Sequence, residues 1–278
     1  MNKDKHTKES NARKTLLIDA HVHIYPKFDL KRAVRSSLKN SDALQCSRKV
    51  HNRATKIWLL TERSDCRFFQ NLCNGAAAGL DASPTHNAEA CLIKENGTQG
   101  AAITVFAGRQ IISSDNLEVC ALVTTFDQSD KKLDTINLIK AVREAGGLAA
   151  LNWAPGKWFG ERGAVVKKVL DTFAPDELFI SDTTMRPTVW RTPKLMAFAK
   201  QQGFRVLSGS DPLPFAGEED KISSYASLTS GEYEKQKPAE SLKAILNDTS
   251  TKLIACGHRS GPWSFLQRQL KIMNEKER

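Results

Sequence analysis

Ten residues near the start, Leu16-Leu17-Ile18-Asp19-Ala20-His21-Val22-His23-Ile24-Tyr25, set the strongest limit on the fold. Read as a strand, every second side chain shares a face. Asp19, His21 and His23 then fall on one face, and Ile18, Ala20, Val22 and Ile24 on the other. The apolar face must be covered, and the polar face cannot be buried without partners. A divalent metal is the simplest partner. Neutral imidazole is a common ligand, and two residues on one strand face can grip one ion. Two core histidines bonded to backbone are the alternative.

The rest of the chain is expected to build around that strand. Its 278 residues, 40% hydrophobic and 26% charged, suffice for one large α/β domain or two small ones. No apolar run approaches the roughly 18 residues of a membrane span. Residues 1–14 are polar and lack the apolar core of a secretory signal. They are expected to be a disordered, mildly basic tail, with residues 15–278 forming the single folded domain. The cysteines Cys46, Cys66, Cys73, Cys91, Cys120 and Cys256 form no C-x-x-C pair or disulfide framework. Scattered thiols of this kind point to a reducing, cytoplasmic setting. The formal charge of +10 is spread along the chain, with no dense basic block and no nucleic-acid motif. It fits an anionic small-molecule substrate and does not by itself point to nucleic acid or membrane. Oligomeric state stays open.

Periodicity predicts helices over 29–44, 64–72, 132–145, 164–173, 194–202, 239–246 and 263–273. Buried strands are expected at 56–61, 90–94, 101–106, 117–124, 148–151, 178–181, 204–208 and 253–255. The segment 75–89, rich in Gly, Ala, Ser, Pro and Asn, is expected to be a loop or insertion. Short helix–strand alternation in the second half argues a parallel sheet with helical crossovers. About seven barrel-sized strands suggest a distorted, TIM-like (β/α)7 barrel; an open doubly wound sheet is the alternative.

In such a barrel the chemistry sits at the C-terminal ends of the strands. The polar residues expected there are His21 and His23, then Glu62 and Arg63, Arg109 and Gln110, Glu118, Asn152, Asp182, and Ser210 with Asp211. Asp211 follows small residues that leave room for a ligand, though a turn or cap Asp fits as well. The segment 152–163 carries three aromatics, Lys157 and Arg162 directly after a strand. It reads as a pocket cover that brings cations to an anionic group, or as a plain hydrophobic lid. Arg186 and Arg191 are candidates for the same electropositive rim.

With these residues in place, the chain resembles the PHP (polymerase and histidinol phosphatase) superfamily. The resemblance rests on Asp19-Ala20-His21-Val22-His23, Leu60-Thr61-Glu62-Arg63, Phe106-Ala107-Gly108-Arg109-Gln110-Ile111 and Gly209-Ser210-Asp211. It spans residues 15 to about 215, and only the first and last motifs are specific. The wider amidohydrolase group shares the opening His-x-His and the late Asp, and is a close competitor. The resemblance implies a distorted seven-stranded β/α barrel with metal at its mouth. The pattern also departs from the family. Glu62-Arg63 stands where Asp-His is usual, Gln110 where a Glu is, Cys120 near an expected His, Ala154-Pro155 near an expected His-Pro, and Leu213 at a further His. What survives is a reduced set of His21, His23 and Asp211, with Glu62 as a possible fourth ligand. That set suits one Zn, Mn or Fe ion. The expected activity is metal-dependent hydrolysis of a phosphoester. Asp211, Glu62 and Arg63 form the catalytic set, and Lys157, Arg162, Arg191, Gln110 and Asn152 bind substrate. An inactive barrel that binds a ligand or partner, and an amidohydrolase-type C–N or lactone hydrolase, are the alternatives.

Overall fold

A computed structural model describes residues 13–50, 52–85, 89–97, 99–128 and 132–276. The strands fall into two sheets. The larger uses β1 (Arg13–Val22), β2 (Thr55–Leu60), β3 (Leu80–Pro84), β4 (Ala90–Glu95), β5 (Ile103–Phe106), β11 (Tyr225–Glu232) and β12 (Ile254–Gly257). Their order is β12-β11-β1-β2-β5-β4-β3. The smaller uses β6 (Gly108–Ile112), β7 (Glu118–Leu122), β8 (Leu148–Asn152), β9 (Phe179–Thr183) and β10 (Val206–Gly209), in the order β10-β9-β8-β7-β6.

The fold is therefore mixed α/β, and the expected closed barrel is not formed. Among the described residues, parallel ladders join β1–β2–β5 and β8–β9–β10, and one isolated parallel bridge links Glu62 to Arg109. The turn signal at 113–116 makes a hairpin instead of introducing a helical crossover, so β7 runs antiparallel to both β6 and β8. The sheets instead adjoin at two seams, each made possible by a glycine. At Gly108, a Cβ would lie 2.2 Å from the Leu60 carbonyl oxygen and 2.7 Å from that of Ala121. At Gly209, a Cβ would lie 2.4 Å from the His21 Cβ. Only a residue without a side chain permits approaches this close.

Two further expectations are corrected. Arg13 and Lys14 are not tail: they open β1, paired with Glu232 and Gly231 of β11. Residues 1–12 of the expected tail lie outside the described residues. Within the expected loop 75–89, residues 80–84 form β3 on the antiparallel partner β4, and 86–88 lie outside the described residues.

The helices are α1 (Leu30–Ser47), α2 (Phe68–Cys73), α3 (Thr135–Glu144), α4 (Gly160–Thr172), α5 (Lys194–Gln201), α6 (Pro238–Asn247) and α7 (Pro262–Lys276). Asp29 caps α1 by accepting the Arg32 N–H at 3.1 Å, and Asp134 caps α3 by accepting that of Asn137 at 2.9 Å. Between the sheets, Leu16, Ile18 and Ala20 of β1 pack with Leu122, Ala150, Phe179 and Leu207. The smaller sheet is covered on its other side by Leu138, Ile139, Val142, Val166, Val169 and Met196 from α3, α4 and α5. This apolar sandwich fixes the strand ends from which the polar side chains project. Among the described residues no helix is long and apolar enough to cross a membrane.

Candidate metal centre

Strict alternation does not hold to the end of β1. Its register with β2 shifts between Asp19 and Val22. Asp19 is thereby separated from the imidazoles. Its carboxylate accepts from the backbone N–H of Ser210 at 2.8 Å and of Ser223 at 2.7 Å, and from the Ser210 hydroxyl. It pins β1 to the segments after β10 and before β11. Burial without a counter-ion raises its pKa to about 7, against the pull of these donors.

His21 and His23 turn toward each other, with their Nε2 atoms 3.1 Å apart. An oxygen of Asp211 lies 3.8 Å from the first and 3.7 Å from the second. All three residues are buried, and they form the one potential metal-ligand group found among the described residues. Three donor atoms so spaced leave a common point about 2 Å from each, the length of a Zn–N or Zn–O bond. The surroundings suit a cation as well. His21 Nδ1 lies 3.3 Å from the Ser181 hydroxyl and 3.8 Å from the Cys120 thiol. A proton on Nδ1, directed at Ser181, leaves the Nε2 lone pair facing the gap. Burial, then the neighbouring His21, lowers the pKa of His23 well below the usual imidazole value, so the ring is held in its neutral, ligating form. Gln110 lies close enough to act on that ring, yet neither His23 Nδ1 nor Gln110 Oε1 completes a hydrogen bond of standard geometry. With both rings protonated at Nδ1, two lone pairs and a carboxylate oxygen converge in a buried space, an arrangement a cation relieves; one Nε2–H donating to the other Nε2 is the metal-free alternative. The residues present therefore fit one metal ion.

Asp211 is held from several sides. Its backbone is left-handed, φ 49°, which is costly for a residue with a Cβ. Its N–H donates to the His21 carbonyl at 2.9 Å, and its second carboxylate oxygen accepts the Thr183 hydroxyl at 2.9 Å. The first oxygen is left facing the imidazoles.

Around this group lies a second polar cluster. Glu118 starts β7, and because β7 is antiparallel to β8, that start lies opposite Asn152 at the end of β8. The Asn152 amide donates to Glu118 at 2.8 Å, and Lys157 pairs with the other oxygen at 2.8 Å. The Glu118 charge reaches both His23 and Cys120. Tyr25 stacks on His23, with ring centroids 5.5 Å apart, and the Arg63 guanidinium, paired with Asp65 at 3.1 Å, lies 5.9 Å from the Tyr25 centroid.

Gln110 and Arg63 thus act on the His23 ring, while Asn152 and Lys157 meet at Glu118, whose charge reaches the same ring. Glu62 does not join the metal group. Its carboxylate accepts the Phe69 N–H at 3.0 Å, at the start of α2, and burial raises its pKa. Lys157 does not present a bare cation, because Glu118 compensates it. Arg162 folds back on the Gly156 carbonyl at 2.9 Å, and Arg191 is exposed. Arg186 leaves the rim altogether: it is buried against Asp182 at 2.6 Å, and Tyr225 donates to the same carboxylate at 3.2 Å. Ser181, Thr183, Tyr25 and Arg268 were not singled out by the sequence reading. Ser181 and Thr183 carried one usable signal, alternation along β9 with the apolar Ile180.

No family model matches the chain, and no curated protein matches it. Two solved structures show a remote likeness. PsfC from Pseudomonas syringae PB-5123 is 13% identical with a TM-score of 0.48, over 95% of this chain and 99% of that one. A two-domain protein from Bacteroides vulgatus ATCC 8482, containing a predicted PHP-like metal-dependent phosphoesterase, is also 13% identical with a TM-score of 0.48. That match covers 88% of this chain and 66% of the other.

Proposed function

We propose that the chain holds one divalent ion through His21, His23 and Asp211 and hydrolyses a phosphoester. The observation that carries this reading is the convergence of the two Nε2 atoms and the Asp211 oxygen, 3.1–3.8 Å apart. The reduced ligand set read from the PHP-like motifs agrees with it. A bound ion of this kind lowers the pKa of a coordinated water toward about 7 and polarises the scissile group. The chain's own residues do the rest. Ser181 fixes the His21 ring, Thr183 fixes the Asp211 carboxylate, and Tyr25 backs His23. Glu118 is the second carboxylate of the mouth and takes the proton-accepting role, with Asp211 committed to the ion. Arg63, beside Tyr25 and released from its 3.1 Å pair with Asp65, is the cation that meets the anionic substrate. Lys157, released from Glu118, neutralises the leaving oxygen.

Elemental analysis after purification without chelators tests the metal. The expected result is about one equivalent of Zn, Mn or Fe, lost in His21→Ala and Asp211→Ala. Less than about a tenth of an equivalent rejects the metal reading, since a buried site of this kind retains its ion. A phosphoester panel then tests the chemistry. Metal retained without turnover favours the inactive, ligand-binding alternative, and turnover of amides or lactones alone favours the amidohydrolase alternative.

A further inference from the structure

Asp211 is the strained member of the proposed ligand set, and one contact to it comes from far along the chain. Arg268 lies on the inward face of α7 and is buried. Its Nη2 donates to the Asp211 carbonyl at 2.6 Å. The same guanidinium reaches the Thr184 hydroxyl at 2.8 Å, the Ser260 hydroxyl at 3.2 Å and the Glu218 carboxylate at 2.8 Å. Glu218 in turn accepts the Leu213 N–H at 3.2 Å. One buried ion pair therefore ties both ends of the 211–218 segment to the last helix.

An ion pair so deeply buried is a poor way to gain stability, because removing both charges from water offsets most of their attraction. It is an effective way to impose one geometry. The geometry imposed here is the left-handed backbone of Asp211, which points its carboxylate at the imidazoles. Elsewhere on α7, Lys271 lies over the Phe215 ring at 5.7 Å, and Phe265 and Ile272 are only half-buried. Trp263, Leu266, Leu270 and Met273 are exposed, at 69, 47, 51 and 57%. The helix is attached largely through its polar anchor.

We infer that Arg268 is a positioning residue for Asp211, so that seating of α7 and retention of the metal are coupled. The inference rests on the metal reading above. Coupling of this kind is reciprocal: whatever seats the helix tightens the ion, and the ion seats the helix by the same factor.

Zinc titration of the full chain, stripped of metal beforehand, tests it. Arg268→Ala is expected to weaken Zn binding by about tenfold or more, and Arg268→Lys to recover part of the loss. Asp134→Ala, which uncaps the distant α3, controls for general destabilisation and should leave the Zn affinity unchanged. Amide hydrogen exchange gives a readout without activity: Zn should slow exchange in α7 of the wild type and not in Arg268→Ala. If Arg268→Ala fails to fold, Arg268→Gln keeps the volume and loses the charge. Wild type that binds Zn with an affinity equal to that of Arg268→Ala overturns this inference alone. Wild type that binds no Zn overturns it together with the metal reading.

Discussion

Asp19 is a buried carboxylate without a counter-ion, close in sequence to the imidazoles yet outside the group they form with Asp211. The register shift at the end of β1 separates it from them, and it joins two segments almost two hundred residues away. Its raised pKa has a testable consequence. The folded chain binds this proton more tightly than the unfolded chain, whose carboxyl titrates near its ordinary value. The stabilising contribution is therefore complete below about pH 4 and is lost as pH rises through about 7. Denaturation midpoints of the metal-free protein between pH 4 and 8 should fall more steeply in wild type than in Asp19→Asn, which has no proton to lose. At pH 5 Asp19→Asn should itself cost about 1–3 kcal/mol, because its amide opposes one of the donors that face Asp19. Glu118 shows the opposite limit. It was visible as a polar residue at a strand start, but a start lies at the mouth only if that strand runs backwards, and direction is a property of pairing. Glu118→Gln should lower turnover by about a hundredfold with metal content unchanged, measured by steady-state kinetics and elemental analysis.

At the scale of elements, the helices and most strands were legible because their apolar periodicity survives in isolation. The strand β3 was not. Its residues Leu80-Asp81-Ala82-Ser83-Pro84 carry turn composition, and only the partner β4 makes them extended. β11 was missed for a related reason: Ser227, Thr229 and Ser230 dilute an alternation whose apolar members are Ala226 and Leu228. Gly209 was read as space for a ligand, and its role is closer to home. It lets β10 approach β1 at the residue that carries the first imidazole. Gly209→Ala should push the seam apart, with a stability loss of about 1–3 kcal/mol in chemical denaturation and weaker metal binding. In the helix that follows β1, removing the α1 cap in Asp29→Ala should cost about 1 kcal/mol and leave metal binding intact, which separates loss of stability from loss of the site.

For the whole molecule, the expectation of a closed barrel failed through one hairpin. Seven strands were counted at about the right places, and each is present. Counting cannot show that β6 and β7 pair head to tail, which divides the ring into two sheets meeting at Gly108 and Gly209. That division changes what the proposed ion would do for the fold. His21 and His23 sit at the end of a strand of the larger sheet, and Asp211 follows the edge strand of the smaller one. Saturating Zn or Mn, at about a hundred times its Kd, should raise the unfolding free energy by about 2.7 kcal/mol, and a chelator should return it, as followed by thermal or urea denaturation. The gain would be felt first where β1 and β10 touch. An ion in that gap acts as a rivet between two plates, so under a pulling force applied to opposite sheets the metal-loaded chain should yield last at this joint, and the stripped chain first.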